Sequence, residues 1–387
     1  KEKQEKFRQL LIEFQDIFSD VPTQTHSLTH KIKLKTDEPV YCKPYKIPVH
    51  MIDRVEKELD LMLKQGIIEK SDSEYASPMV IVKKKNTEDL RICVDFSRLN
   101  AISVVDPMPQ AEPEDILARL GNAQIFSTFD ACKGFYAIPM DPDSKNYASF
   151  ITPRDCYRFN SMPFGLSGAP ASYARMTRMM LRGAKNLDNF VDDIIAYTEN
   201  DFDKHLVTLR DLFTRVRNAN IKLRPSKSRV GYQEIQFLGF NVSRGQIRPT
   251  QESIEKILNS PIPRTKKGVR SLCGCINWLR RYIPKAAKLL KPLSDLTVKS
   301  ASEVVKWGAA QNDALQEVKT ILTTQPILSL YDVKKEHVLQ TDASSEYIGG
   351  VLLQREEDGA LHPIMYASRK CLNREMRYDI QNKEMMA

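Results

Sequence analysis

Helical and strand periods are mixed along this chain with irregular connections between them, and that mixture limits the folds open to it more than any other feature. Residues 50–66, HMIDRVEKELDLMLKQG, place Ile52, Val55, Leu59 and Met62/Leu63 at helical spacing, with Gly66 as the C-cap. Three strand-like runs follow: SPMVIVKKK (77–85), LRICVDF (90–96) and IFSTFDA (125–131). Between the last two lies a Pro-interrupted connection, 106–120, whose later part reads as helix. YRFNSMPF (157–164) is a further strand leading to a helix near 169–182, and NFVDDIIAY (189–197) reads as a hairpin. Phe202, His205, Leu206, Leu209, Leu212, Phe213 and Val216 then trace one helix face, and short strands return around IQFLGF (235–240). Residues 251–298 look helical and basic, broken at Pro261, Pro263, Pro284 and Pro292. HVLQTDAS (337–344) and IGGVLLQ (348–354) open a new unit near residue 330, which runs into the helix DIQNKEMMA (379–387). The mixture predicts α+β for the first 240 residues, a helical middle and part of an α/β domain at the end. There is no internal repeat.

Charge and cysteine usage narrow the partners. Lysine plus arginine is 58 against 49 for aspartate plus glutamate, a net charge of +9 that suits an anionic partner such as nucleic acid. The seven cysteines are scattered, none in a CxxC pair, and the six histidines do not join them at zinc spacing, so reduced structural thiols are expected. No apolar run approaches the roughly 20 residues of a membrane span, and KEKQEKFRQL lacks the apolar core of a signal peptide. An intracellular protein without membrane contact is expected, cytoplasmic or within an element-derived particle.

The aspartate pair Asp192–Asp193 sits between two short apolar runs. Aspartates favour tight turns, so a plain hairpin loop accounts for them. A metal site would need a further carboxylate at the end of a neighbouring strand, because magnesium binds hard oxygen ligands. Asp130, where FSTFDACKGFYAIPM (126–140) passes from an apolar strand into a Lys-Gly turn, is such a carboxylate, and equally a plain N-cap or turn residue. If the two strands are neighbours, the aspartates can hold two ions about 4 Å apart, a geometry for phosphoryl transfer. VKKKNTEDLR (82–91) reads as two strands joined by a polar turn. A solvated charged hairpin accounts for Lys83 and Lys85, whereas the Arg91 guanidinium, just before an apolar strand, suits a phosphate.

These segments occur in one order: ASPMVIVKKKNTEDLRICVDFSRLN (76–100), FSTFDACKGFYAIPM, MPFGLSGAP (162–170), FVDD (190–193), LRPSKS (223–228) and FLGF (237–240). The series resembles the reverse transcriptases of retroviruses and long-terminal-repeat retrotransposons, the gypsy-type group most of all, and TDASSEYIGGVLLQ (341–354) resembles the first strands of the ribonuclease H domain that follows. The resemblance runs from about residue 25 onward. It implies an α+β right-hand polymerase of fingers, palm and thumb with a connection and a truncated α/β ribonuclease H-like domain. The implied divisions are an N-terminal extension (1–49), fingers and palm (50–242), thumb and connection (243–330) and the start of ribonuclease H (331–387).

Site roles follow from the same resemblance. It implies that Asp130, Asp192 and Asp193 are catalytic and ligate two Mg2+ ions, for which Mn2+ can substitute. Asp193 is the weaker ligand, because successive strand residues face opposite ways. Lys84 and Arg91 match the grip on the incoming triphosphate, Phe164 the nucleotide pocket, and Lys227 a lysine at the pyrophosphate leaving group. Phe135 matches the aromatic gate against a 2′-OH; a core phenylalanine beside Tyr136 is the other reading. Phe237, Leu238 and Gly239 match the primer grip, and the stretch with RTKKGVR and NWLRRYIPK the thumb. Asp342 and Glu384 match the first two of four ribonuclease H carboxylates, so no ribonuclease H activity is expected from these residues alone. Departures from the family pattern are Phe190 for tyrosine, Lys133 near Asp130, Tyr347 for glycine and NKE for EKE. The expected partners are an RNA or DNA template with primer, and deoxynucleoside triphosphates. The expected activity is RNA-directed DNA polymerisation; the rival is a catalytically silent, element-derived binding protein, and Phe135 weighs against an RNA polymerase.

Overall fold

The computed structural model describes residues 2–83, 90–324 and 326–387; Lys84 lies outside the described residues. The chain divides into two compact units, one of residues 1–112, 127–197 and 201–230, the other of residues 113–126, 198–200 and 231–387.

The first unit holds a five-stranded sheet in the order Ile68–Lys70, Cys156–Phe159, Ser149–Ile151, Ser77–Lys83, Leu90–Val94. Ser77–Lys83 and Leu90–Val94 pair antiparallel, Lys83 opposite Leu90, as the sequence predicts; the turn between them lies outside the described residues. The helix Ile52–Lys64 buries Val55, Leu59 and Met62, the face that its spacing predicts, and Gly66 ends it at φ 68°. The strand expected over 157–164 stops at Phe159, and Ser161 makes only an isolated bridge to Pro139. A second sheet has the order Leu187–Phe190, Asp193–Thr198, Ile125–Asp130, Arg229–Tyr232. The helix Phe202–Asn218 buries Leu209, Leu212, Phe213 and Val216. Phe213 meets Phe14, Phe18 and Phe129 at ring-centroid distances of 5.6, 5.6 and 5.3 Å.

Two of those rings come from residues 1–49, which the sequence sets apart as an extension. A helix, Glu2–Glu13, leads into a strap in which Leu10, Phe14 and Ile17 are buried. Arg217 pairs with Asp16 and lies over the Phe14 ring at 4.2 Å. The strap is also bonded through its backbone: Leu223 N–H to Ile17 O (2.8 Å), Thr25 N–H to Ala137 O (2.7 Å) and His30 N–H to Pro139 O (2.8 Å).

The second unit carries a sheet in the order Glu234–Phe237, Phe240–Ser243, Gln246–Pro249, Leu328–Ser329. Helices Gln251–Leu258, Lys266–Trp278, Ala286–Leu289, Lys291–Asp295 and Ala309–Thr323 follow, the first two capped by Thr250 and Thr265. Pro261, Pro263 and Pro284 fall in the gaps between helices, as expected. Pro292 instead opens the helix Lys291–Asp295, where its missing N–H has no helical partner to lose. A three-stranded antiparallel sheet, His337–Ala343, Tyr347–Arg355 and Leu361–Lys370, precedes the helix Ile380–Met386. All seven cysteines are free thiols. Among the described residues, no helix is long and apolar enough to cross a membrane.

Two buried histidines link this packing to pH. His205 bonds Ser127 Oγ through Nε2 (2.8 Å), and His30 bonds Ser172 Oγ through Nδ1 (2.8 Å). Burial lowers both from 6.5 to about 4. Above pH 6.5 each is neutral folded or unfolded, and their packing contributes in full. Below it the unfolded chain takes the proton first, and stability falls down to about pH 4. Each histidine then costs about 3 kcal/mol. Urea denaturation at pH 7, 5.5 and 4 should show this slope, and His205→Asn should flatten its share.

Candidate active site

Asp130 ends the strand Ile125–Asp130, and its neighbour in the sheet, Asp193–Thr198, is the second arm of the hairpin that carries Asp192. Phe190 is the partner of Asp193, so Val191 and Asp192 form a two-residue turn. Val191 has φ 49°, a conformation that β-branched residues rarely adopt and that a II′ turn requires at its first position. The turn is thus held against a local preference. Ala131 N–H donates to Asp192 O at 3.1 Å and sets the turn beside the end of Asp130's strand. On the other side of Asp130, Arg224 N–H donates to its carbonyl (2.9 Å) and Cys132 N–H to Lys222 O (2.8 Å).

The carboxylates differ in their surroundings. Asp130 is mostly buried, with 16% of its side chain exposed; it accepts from Lys227 Nζ at 2.8 Å and lies 3.6 Å from the Arg224 guanidinium. Asp192 is half-buried, and its Oδ1 has no hydrogen-bond partner among the described residues. Burial, then the charges of Asp130 and Asp193, push its carboxyl from 3.8 up to about 6, against the Tyr173 hydroxyl and the Lys227 ammonium. Asp193 begins its strand exposed.

Tyr173 and Gly134 are participants that sequence reasoning missed. Tyr173 is buried on the helix Ala169–Met180, and burial together with the Asp192 charge raises its hydroxyl far above the ordinary value, so it stays protonated. A Cβ on Gly134 would lie 2.6 Å from the Tyr173 hydroxyl oxygen and 2.7 Å from Asp192 Oδ1. Only a hydrogen fits there. The Tyr173 signal was present as its place on the same helix face as Ala169, Ser172 and Met176; nothing in the sequence says that this face meets Asp192.

Phe135 is buried, stacked on Tyr173 (5.2 Å) and tilted against Phe164 (4.8 Å). Phe164 is exposed at its outer side, with the Arg91 guanidinium 6.0 Å above its ring. Lys133 bonds Gln65 Oε1 (3.5 Å), so the charge that the sequence places near Asp130 is engaged elsewhere.

In the second unit, Phe237 is buried, and Leu238 and Gly239 form a hairpin turn at φ 51° and 76°. Gly239 lies under Trp278, whose indole a Cβ would meet at 3.4 Å. Trp278 stacks on Phe240 at 5.6 Å with half its surface exposed, whereas Tyr282 is core. Lys266 is also internal: its Nζ donates to Lys299 O and Ala301 O. Asp342 pairs with Lys285 at 3.1 Å, and Glu384 Oε1 accepts weakly from Ala343 N–H at 3.4 Å.

Among the described residues, no three Asp, Glu, His or Cys side chains group closely enough to hold a metal ion by themselves. Asp130 and Asp192, the latter with a buried oxygen that has no partner among the described residues, are the candidate carboxylate donors. That fits a magnesium-type ion, which takes one or two carboxylates and completes its shell from water and substrate phosphate.

Residues 82–242 match the family described as reverse transcriptase (RNA-dependent DNA polymerase), and residues 307–387 match the RNase H-like domain found in reverse transcriptase. The retrovirus-related Pol polyprotein from transposon 297 of Drosophila melanogaster is 33% identical over 372 residues, covering 94% of this chain and 34% of that polyprotein. The corresponding polyprotein from transposon opus is 34% identical, covering 99% and 40%. The transposon Tf2-3 polyprotein of Schizosaccharomyces pombe is 29% identical, covering 97% and 28%. The chain thus spans less than half the length of these relatives. Among solved structures, a foamy viral protease-reverse transcriptase in complex with RNA/DNA hybrid superposes with TM-score 0.87 at 25% identity, over all of this chain and 52% of that one. A foamy viral protease-reverse transcriptase dRH in complex with double-stranded DNA reaches 0.91 at 24% identity, over all of this chain and 68% of that one, a likeness of fold. The fold is the α+β fold of these polymerases with an RNase H-like domain.

The Gly134 contact gives a test of the site's geometry. Gly134→Ala should displace the Asp192 carboxylate toward water, since Tyr173 has no room to move. In carboxyl-13C NMR the Asp192 titration should then drop from about 6 toward 3.8.

Proposed function

We propose, for a chain that belongs through residues 82–242 and 307–387 to the reverse transcriptases of gypsy-type retrotransposon Pol polyproteins, that it is an RNA-directed DNA polymerase extending a primer with deoxynucleoside triphosphates. The observation that carries the reading is the juxtaposition of Asp130 and Asp192 across the Ala131 backbone bond, with an Asp192 oxygen that has no partner among the described residues. A binding protein would have no use for two carboxylates held together at the cost of their mutual repulsion.

Asp130 and Asp192 would hold two Mg2+ ions, with exposed Asp193 the lesser partner. Bound there, the ions would neutralise charge on the attacking primer 3′ oxygen and on the departing pyrophosphate. The protein's own part is positioning and charge. The strained Val191 turn holds Asp192 in place. Arg91, and Lys84 with it, would bind the triphosphate, and Phe164 supplies a ring against which Arg91 rests. Phe135, fixed between Tyr173 and Phe164, would present a ring edge that a 2′-OH cannot pass. Lys227 would sit beside the leaving group. Residues 237–239 and the exposed face of Trp278 would bear on the primer–template duplex, a partner supported by the nucleic-acid complexes of the foamy viral proteins. Asp342 and Glu384 would be the first two carboxylates of the RNase H-like domain.

Primer extension on RNA and DNA templates with Mg2+ tests the reading. Asp192→Asn and Asp130→Asn should each lower the rate by about 100-fold or more, the loss of several kcal/mol of charge stabilisation. Normal extension by either variant would refute the site, and no extension by the folded wild type would refute the polymerase. Phe135→Val should raise ribonucleotide incorporation relative to deoxynucleotide. It is a better probe than Phe135→Ala, since emptying this buried ring site to alanine costs about 3–5 kcal/mol of stability.

A further inference from the structure

Resting on the reading of Asp130 and Asp192 as an ion site, we infer that Lys227 is a built-in counter-ion for Asp130, which a divalent cation must displace and which weakens ion binding until it is displaced. Its ammonium is 2.8 Å from Asp130 Oδ2, where it occupies an oxygen that a metal would use. The placement is set by backbone rather than by side-chain search. Arg224 N–H is bonded to Asp130's own carbonyl, Ala131 bridges Leu223, and the turn Pro225–Lys227 closes with Lys227 N–H on Arg224 O at 3.3 Å. Pro225 fixes the first φ of that turn. The strap reinforces the anchor, since Leu223 N–H donates to Ile17 O.

The two carboxylates therefore enter ion binding from different states. Asp130 has Lys227 in contact and Arg224, itself shared with Asp20 at 3.8 Å, at 3.6 Å. Asp192 Oδ1 has no partner among the described residues. Arg224 is tied to two carboxylates and mostly buried, so it stays. Lys227 is 54% exposed, keeps much of its hydration in the pair, and can swing away at little cost. Without this ammonium, Asp130 would keep only the more distant Arg224 guanidinium against the charge of Asp192 in the ion-free chain. With it, an ion gains a full ligand set only by exchanging one cation for another. The released ammonium stays tethered beside the site, where an anionic substrate is the next available partner. Metal and nucleotide binding are thereby linked through one side chain.

Mn2+ alone is the probe, titrated against the full chain without nucleotide or nucleic acid and read by electron paramagnetic resonance of the free ion. Lys227→Met should bind Mn2+ roughly 5-fold more tightly than wild type, the scale of an exposed ion pair. Lys227→Arg, which keeps the charge, should bind like wild type, and Asp192→Asn should lose the site. Thermal melting by circular dichroism should show the lysine variants folded, as expected for an exposed side chain. A Lys227→Met affinity equal to or weaker than wild type overturns the counter-ion inference while Asp192→Asn still loses the ion. An Asp192→Asn chain that binds as well as wild type overturns the ion-site reading itself. A role confined to the leaving group would leave all nucleotide-free affinities of the lysine variants unchanged, and that result too would sink the inference.

Discussion

A backbone hydrogen bond, Ala131 N–H to Asp192 O, brings two carboxylates to the ends of adjacent strands. Much of the surrounding structure answers that placement. Like charges held together in a partly dry setting repel, and each neighbour deals with the repulsion in its own way. Lys227 and Arg224 neutralise Asp130; Tyr173 supports ionised Asp192; Gly134 leaves the space in which the Asp192 carboxylate sits.

The site is kept at some expense to stability. Val191 adopts a positive φ that glycine would take more easily, and a buried Asp192 oxygen has no hydrogen-bond partner among the described residues. Such features persist only where the rest of the fold over-determines them. Here that support includes the Phe213 cluster, to which the helix Phe202–Asn218, the strand Ile125–Asp130 and the N-terminal strap all contribute rings. The strap is thus part of the scaffold behind the site, because its backbone bonds reach Leu223 and Ala137 on either side of it.

In the second unit Asp342 is likewise paired with a lysine, Lys285, though there both side chains are exposed. Of the acidic positions discussed, Asp130 and Asp342 are thus each paired with a lysine of their own unit. An ammonium in contact with a carboxylate favours its ionised form. Elsewhere the basic residues are spent differently. Lys266 caps backbone carbonyls internally and Lys133 reaches Gln65, so a run of positive letters does not map onto one phosphate-binding face.

By itself the sequence determined the period-bearing elements and the chemistry of their ends. The helix 52–64, the paired strands on either side of residues 84–89, the hairpin around Asp192 and the helix face of Phe213 all follow from local spacing, which acts within a few residues. Asp130 and the aspartate pair could be named because their motifs are contiguous. Tertiary structure alone decided that Asp193–Thr198 lies beside Ile125–Asp130, that Tyr173 and Gly134 wrap Asp192, and that Lys227 rather than Lys133 meets Asp130. Those contacts join residues tens of positions apart, and no local period encodes which face of a helix meets which strand end. The strap was equally hidden. Its helix, Glu2–Glu13, is highly charged and buries only Leu10, and Phe14 and Phe18 acquire meaning only against Phe213.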